Sequence, residues 1–177
     1  MRIVGGIYKG RTLYEFKGQD IRPTSDKTRE SLFNILQFNI QGKTFLDLFC
    51  GSGAVGIEAL SRGAKRVVFN DLSRDSITLT KKNLEKVGAK ENFSVTNQEG
   101  SIFYKYCTEK FDYVFIDPPY KTELGLSVLQ NVASLLTDDG VAIYENEKPF
   151  EEEVQGLVIT DQRKYGRAHL TFFKKGE

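Results

Sequence analysis

The residues best suited to chemistry begin with Asp117-Pro118-Pro119-Tyr120, directly after the apolar run Phe111–Ile116. Two consecutive prolines cannot continue a sheet ladder, because each lacks an N–H and has a fixed φ. They make a stiff, extended turn with carbonyls directed into a cleft. The Asp117 carboxylate and the Pro118 carbonyl can accept hydrogen bonds from one exocyclic amine, and Tyr120 offers an aromatic face to the base carrying it. Such an amine is a poor nucleophile, since its lone pair is delocalised into the ring. Two fixed acceptors hold it in line with a methyl donor and support the charge that develops on nitrogen.

A second run, Phe45–Ile57, reads as an apolar strand, a glycine turn and a helix. Gly51-x-Gly53-x-x-Gly56 has the spacing of a dinucleotide fingerprint. Glycine lets backbone N–H groups approach a ligand closely. Asp71, about 20 positions beyond Gly51, stands where a carboxylate meets ribose hydroxyls. Two cofactors compete for this pattern, a nicotinamide dinucleotide and S-adenosylmethionine. Asp47 separates them: a pyrophosphate gains nothing from a carboxylate just before the turn, whereas a sulfonium and an ammonium are attracted to it. Acidic residues also stand at or near the other strand ends, as Asn70-Asp71, Gln98-Glu99 and Asp117.

These residues need a scaffold that brings strand ends together, and the hydrophobic pattern supplies one. From Thr44 the chain alternates strand and helix: strands at 44–49, 66–70, 93–96, 111–116 and 140–145, and helices at 54–62, 74–87, 101–106 and 122–136. Strands at 157–164 and 169–174 follow with no helix between them, joined by a turn at Tyr165-Gly166-Arg167. The expected fold is α/β: a doubly wound, Rossmann-like sheet, mostly parallel, with an antiparallel hairpin at its C-terminal edge. Before it, Ile3-Val4 and Thr12-Leu13-Tyr14 suggest a short hairpin whose loop carries Tyr8, Lys9 and Arg11. A helix capped by Thr24, Ser25 or Asp26 then runs to Gln41-Gly42, with Arg29 near the edge of its apolar stripe, as a snorkelled surface charge or facing a ligand.

The 177 residues are expected to form a single domain, with residues 1–43 as a basic N-terminal extension and residues 44–177 as the Rossmann-like core. Residues 1–43 hold eight Lys/Arg against four Asp/Glu, and residues 44–147 hold eleven against fifteen. A basic end on an acidic body suggests a polyanionic partner. No apolar run is long enough to span a bilayer, and the N-terminus lacks a signal-peptide core. Cys50 and Cys107 show no metal-ligand or redox spacing. A reducing cytoplasm, no membrane and no metal are expected. Cys50 reads as packing, and His169 as structural.

Phe49-x-Gly51-Ser52-Gly53 with Asp117-Pro118-Pro119-Tyr120 resembles the class I, S-adenosylmethionine-dependent amino-methyltransferases. Arg2-Ile3-Val4-Gly5-Gly6, Lys9-Gly10-Arg11, Arg22-Pro23-Thr24 and Arg29-Glu30-x-Leu32-Phe33-Asn34 narrow the resemblance to the bacterial RsmD family, over nearly the whole chain. That family methylates the N2 amine of one guanine in 16S ribosomal RNA of the small subunit. The resemblance implies that Asp47, Gly51, Ser52 and Gly53 line the methionine part of the cofactor, Asp71 and Leu72 its ribose side, and Glu99 its adenine amine. Asp117 through Tyr120 would hold the guanine. Lys9, Arg11 and Arg22 would face RNA, with Thr24 and Arg29 at the cleft edge. The implied partner is 16S rRNA within an assembled or partly assembled small subunit. Two positions depart from the family pattern: Asp71 where relatives often carry Glu, and Glu99 where Asp or Asn is common.

Other classes stay in view. A DNA amino-methyltransferase shares the Asp117–Tyr120 motif but usually carries a sizeable target-recognition segment. A ribosome-assembly protein with a vestigial cofactor fold would not need that motif intact. A nicotinamide oxidoreductase is disfavoured by Asp47.

Overall fold

The computed structural model describes residues 1–18, 24–119 and 123–177. Its seven strands are β1 (Thr44–Asp47), β2 (Arg66–Asn70), β3 (Phe93–Thr96), β4 (Phe111–Ile116), β5 (Leu136–Asn146), β6 (Leu157–Tyr165) and β7 (Ala168–Lys175). They form one sheet in the order β3-β2-β1-β4-β5-β7-β6. Strands β1 to β5 are parallel, and β7 runs antiparallel to both β5 and β6. The helices are α1 (Asp26–Leu36), α2 (Ala54–Ser61), α3 (Arg74–Lys86) and α4 (Glu123–Val132), with 3-10 turns at Gly100–Lys105 and Ala133–Leu135. The expected α/β sheet with its antiparallel edge hairpin is the observed one.

Strand order decides where a ligand can sit. After β1 the chain steps outward through β2 and β3, then returns to place β4 on the other side of β1. The crevice of such a sheet opens at that reversal, beyond the carboxyl ends of the strands. Those ends are Asp47 on β1 and, one residue past β4, Asp117.

Residue alternation fills both faces. Phe45 and Phe69 join Leu32, Phe33 and Ile57 on one face, while Leu46, Val68, Val114 and Ile116 meet Val128 and Leu129 of α4 on the other. Each fully buried side chain of this size contributes about 1.5–3 kcal/mol. Ile3 and Leu13 belong to the same core cluster as Phe45, so the N-terminal segment packs onto the sheet's own core. Among the described residues no helix is long and apolar enough to cross a membrane.

Several boundaries differ from expectation for identifiable reasons. The N-terminal hairpin reduces to one antiparallel bridge, Arg2 with Thr12. The Val4 and Gly5 N–H groups, which would continue a ladder, donate instead to the Glu58 carboxylate at 3.0 and 2.8 Å. Helix α1 stops at Leu36 rather than Gly42, because the Asn39 and Ile40 N–H groups both close onto the Leu36 carbonyl. The expected helix at 101–106 is a 3-10 turn, and α4 gives way at Ala133 to another. Strand β5 begins at Leu136, four residues early, with a register irregularity opposite Phe111 and Tyr113.

Candidate functional site

The glycine turn is built from three glycines with three separate reasons. Gly51 and Gly53 have φ of 53° and 80°, a left-handed conformation that side chains disfavour. A Cβ on Gly53 would lie 2.9 Å from Thr80 Cγ2 of α3. A Cβ on Gly56 would meet the Phe69 ring at 2.2 Å, so this glycine sets how closely α2 lies on β2. Beyond Gly51 the nearest neighbour is the Phe16 ring, 4.0 Å from where a Cβ would stand.

The turn is held by side chains from the next βα unit. Asp71 accepts the Gly51 N–H at 2.9 Å through one oxygen and the Ser73 N–H at 2.9 Å through the other. Each oxygen keeps a second lone pair for a ligand hydroxyl. Thr80 Oγ1 donates to the Gly51 carbonyl at 2.9 Å. Buried Asn83 donates to the Ser52 and Tyr14 carbonyls at 2.8 and 3.1 Å and accepts the Tyr14 N–H at 2.7 Å. Buried Asn70 donates to the Leu48 and Gln98 carbonyls at 3.1 and 3.0 Å and so aligns the ends of three strands.

Asp47 is 1% exposed and accepts the Gly56 N–H at 3.0 Å, at the start of α2. Desolvation pushes its carboxyl up to about 7; the Gly56 bond opposes the shift, and the negative charges of Asp71 and Asp117 add to it. Three carboxylates at the ends of β1, β2 and β4 therefore share one field. Such a cluster is stabilised by a bound cation and repels a pyrophosphate. Asp117 is half-buried, Pro118 buried and Pro119 exposed. The Thr24 hydroxyl lies 3.0 Å from a Glu145 oxygen and 3.4 Å from an Asp117 oxygen, so its single proton sits between two acceptors. Burial pushes the Tyr144 hydroxyl, beside Glu145 in the chain, up to about 12, with Asp117 and Glu152 adding to the shift.

The outer wall is looser. Leu72 is 66% exposed, a large apolar side chain directly after Asp71. Asn97 donates to the Asp71 and Leu72 carbonyls at 2.8 and 2.9 Å. Glu99 is exposed and accepts from the Ser101 hydroxyl at 2.8 Å. Cys50 is buried, with its thiol pushed up by desolvation and in contact with Thr80 Oγ1 at 3.4 Å, as a packing residue should be.

The structure thus gathers Asp47, Gly51, Ser52, Gly53, Asp71, Asp117 and Thr24 around one crevice. Arg22 and Tyr120 lie outside the described residues. Three expected RNA contacts are placed elsewhere. Arg29 is fully buried, 3.6 Å from Glu58 through Nε and 2.8 Å from Asp26 through Nη2, with that nitrogen also donating to the Arg2 carbonyl. Its expected place at the surface or cleft edge is corrected by this: a core carboxylate, Glu58, draws the guanidinium inward. Arg11 donates to the Val87 carbonyl at the C-terminal end of α3 and lies over the Tyr8 ring. A guanidinium there meets an unfilled carbonyl and the negative end of the helix dipole. Thirteen residues of α3 span about 20 Å, which separates Arg11 from the Asp71 end. Exposed Lys9 is next to Tyr8, whose N–H bonds Ser61 at the far end of α2.

Sequence reasoning missed Glu145, although the pattern of an acid at each strand end extends to β5. It also missed Asn83, a polar residue beside Leu84 on the buried side of α3, and Glu58, fully buried within an otherwise apolar helix.

Comparison with known proteins adds the lineage of this site. The family described as Conserved hypothetical protein 95 matches residues 1–174. YlbH of Bacillus subtilis (strain 168) is 35% identical over 182 residues, covering 99% of each chain. Ribosomal RNA small subunit methyltransferase D of Escherichia coli (strain K12) is 36% identical over 160 residues, 90% of this chain and 78% of that relative. The solved structure of yhhF from Escherichia coli matches with a TM-score of 0.85 at 27% identity, over 99% of this chain and 97% of that one.

Proposed function

This chain belongs to the Conserved hypothetical protein 95 family, the RsmD family, and from that premise we propose that it methylates the exocyclic N2 amine of one guanine in 16S ribosomal RNA, using S-adenosylmethionine. The observation that carries the reading is the pairing, across the strand-order reversal, of Asp47 on β1 with Asp117 after β4. One side of that crevice suits a cationic ligand over a glycine turn; the other offers fixed acceptors for an amine.

S-adenosylmethionine supplies an electrophilic methyl group on a sulfonium centre. Asp47 and the Gly51–Gly53 backbone would hold its methionine part, Asp71 its ribose, Leu72 the face of its base and Glu99 the adenine amine. The guanine is flipped out of its stack to reach the cleft. Asp117 and the Pro118 carbonyl accept the two N2 hydrogens and fix the amine's direction, and Tyr120 stacks on the ring. As the N–C bond forms, positive charge grows on nitrogen beside the Asp117 carboxylate, which is stabilised in a shielded cleft. The proton becomes acidic only then, so no prior deprotonation is needed; it would pass to the Asp117 carboxylate that already accepts its hydrogen bond, while the methyl–sulfur bond would break and the cofactor would leave as a neutral thioether. Thr24 bridges Asp117 to Glu145 and limits rotation of the Asp117 carboxylate.

The preferred substrate is 16S rRNA already organised in an assembled or partly assembled small subunit. Lys9 and Arg11 stand well away from Asp117, so they would meet only RNA that extends far beyond the target nucleotide. Transfer of labelled methyl to 16S rRNA, to small subunits and to DNA tests the reading. Incorporation at guanine N2 in the ribosomal substrates is expected. Incorporation into DNA alone, or into none of the three, overturns it.

A further inference from the structure

A basic surface stands at the mouth of the crevice, on elements given no role so far. Strand β7 pairs with β5 so that His169 faces Asn146, and β6 pairs with β7 so that Tyr165 faces Ala168. The Gly166-Arg167 turn therefore projects from the same end of the sheet as Asp117 and Glu145. Residues 162–176 contain five Lys/Arg and no Asp/Glu. Lys164 and Arg167 are exposed at the turn, and among the described residues neither has an ion-pair partner. Arg163 holds Asp161 at 2.8 Å, in a pair with both side chains largely exposed. Such pairs contribute little and open readily to a stronger anion.

Beside the turn, α1 and β6 enclose an open groove of about 480 Å³, lined by Ser31, Asn34, Ile35, Phe38, Arg163 and Tyr165. Phe38 is 87% exposed, a full aromatic ring that the core does not use. The lining is a mixture of guanidinium, aromatic and small polar groups, and its volume lies in the range of small-ligand sites. The nearby acidic run Glu151–Glu153 belongs to the other face of the sheet. Its neighbour Phe150 is tied to Gln162 and packs with Tyr144 and Phe173 on the α4 side, whereas Tyr165 packs with the α1 side. Glu30 on α1 and Asp161 are the acids nearest this face in the chain, against Lys27, Arg163 and Arg167, while Lys164 alternates to the other face.

We propose that this groove and the adjoining β6–β7 turn are a second contact surface for the RNA substrate, taking a nucleotide roughly 15 Å from the methylated one, three strands across the sheet and one helix length along α1. Arg163 and Arg167 contact phosphates, Phe38 stacks on an unpaired base, and Ser31 and Asn34 reach its edge or a 2′-hydroxyl. The inference rests on ribosomal RNA being the substrate. It gives the enzyme a positive lip at the crevice end of the sheet, a role that Arg11 and Arg29, engaged in holding the fold, do not fill.

The double variant Arg163→Ala/Arg167→Ala and the single variant Phe38→Ser, on separate elements, test it against the wild type. Each is measured for RNA KM, kcat, S-adenosylmethionine affinity and thermal stability, and for RNA binding across a salt series. Removing two phosphate contacts should make the log–log salt slope shallower by about 1.5 and raise the RNA KM about tenfold. Phe38→Ser should raise KM about tenfold with the salt slope retained, since stacking is not ionic. In both, kcat at saturating RNA and cofactor affinity should match the wild type. A wild-type enzyme that methylates RNA, with unchanged KM and salt slope in both variants, overturns this inference alone. A wild type that methylates no ribosomal RNA removes the functional reading itself.

Discussion

Asp47→Asn isolates the charge of the most buried carboxylate in the crevice. Burial raises the Asp47 pKa from 3.8 to about 7. That rise makes the ionised form roughly 4 kcal/mol harder to hold in the native state than in the unfolded chain. The folded value is the higher one, so the native state binds the proton more tightly. The resulting stabilisation is complete below about pH 3.8, shrinks as pH rises and is gone above about pH 7. Between about pH 6 and 8 the wild type should lose about 1.4 kcal/mol through this group, or roughly 3–6 °C in Tm. Asparagine keeps an acceptor for the Gly56 N–H and carries no charge, so the variant lacks this loss and should be the more stable protein at pH 8. Function should move the other way. Asp47 is about one-tenth ionised near pH 6 and nine-tenths near pH 8, so wild-type affinity for the sulfonium cofactor should rise close to tenfold over that interval. The variant should bind weakly and without that pH dependence. Thermal melts and calorimetry on both proteins at three pH values provide the comparison. A variant no more stable than the wild type at pH 8, or one with unchanged cofactor affinity, would refute the account of Asp47 as a desolvated carboxylate held for a cation.

Three further substitutions probe separate parts of the site. Asp117→Ala should keep cofactor affinity while kcat falls on the order of a hundredfold or more, the scale for losing one fixed electrostatic contact in a transition state; normal turnover on ribosomal substrate would contradict the role given to it. Gly56→Ala forces a Cβ into the Phe69 ring and should cost about 1–3 kcal/mol, read as a lower Tm, because α2 cannot lie as close to β2. Asn83→Ala removes two part-buried hydrogen bonds to the Tyr14 backbone and leaves the buried Ser52 carbonyl without its donor. It should lower stability by about 2–3 kcal/mol and weaken cofactor binding as the turn loosens, and a melt with a calorimetric Kd measures both.

What could be read from the chain follows from the range of each interaction. Asp47, the three glycines, Asp71 and Asp117 act through local geometry, a strand end followed by a turn, and that geometry is written in neighbouring residues. The sheet was equally legible, since the near-continuous apolar runs of β1 and β4 directly report two buried faces. The shortened N-terminal hairpin is the boundary where one distant side chain claims backbone groups. Glu58 takes the Val4 and Gly5 N–H groups across more than 50 positions, and no local pattern near residue 4 announces it.

Arg29 and Arg11 show the same limit applied to charge. In a sequence, a basic residue near an aromatic looks available to a polyanion, because its counter-charge is invisible. Glu58 is fully buried and lies against Arg29 and Arg62, and its carboxylate could not be kept in the core without cations and N–H donors around it. Its burial requires Arg29 to be inside, and Arg29 in turn reaches the Arg2 carbonyl and fixes the path of the N-terminal segment toward Tyr14, Phe16 and the glycine turn. Among the described residues, Arg11 and Arg29 therefore do structural work, and the sheet itself adds positive charge at its crevice end. The β6–β7 turn supplies it through a strand register that places Arg167 beyond Glu145, a relation between positions about 20 residues apart that the net charge of either segment could not reveal.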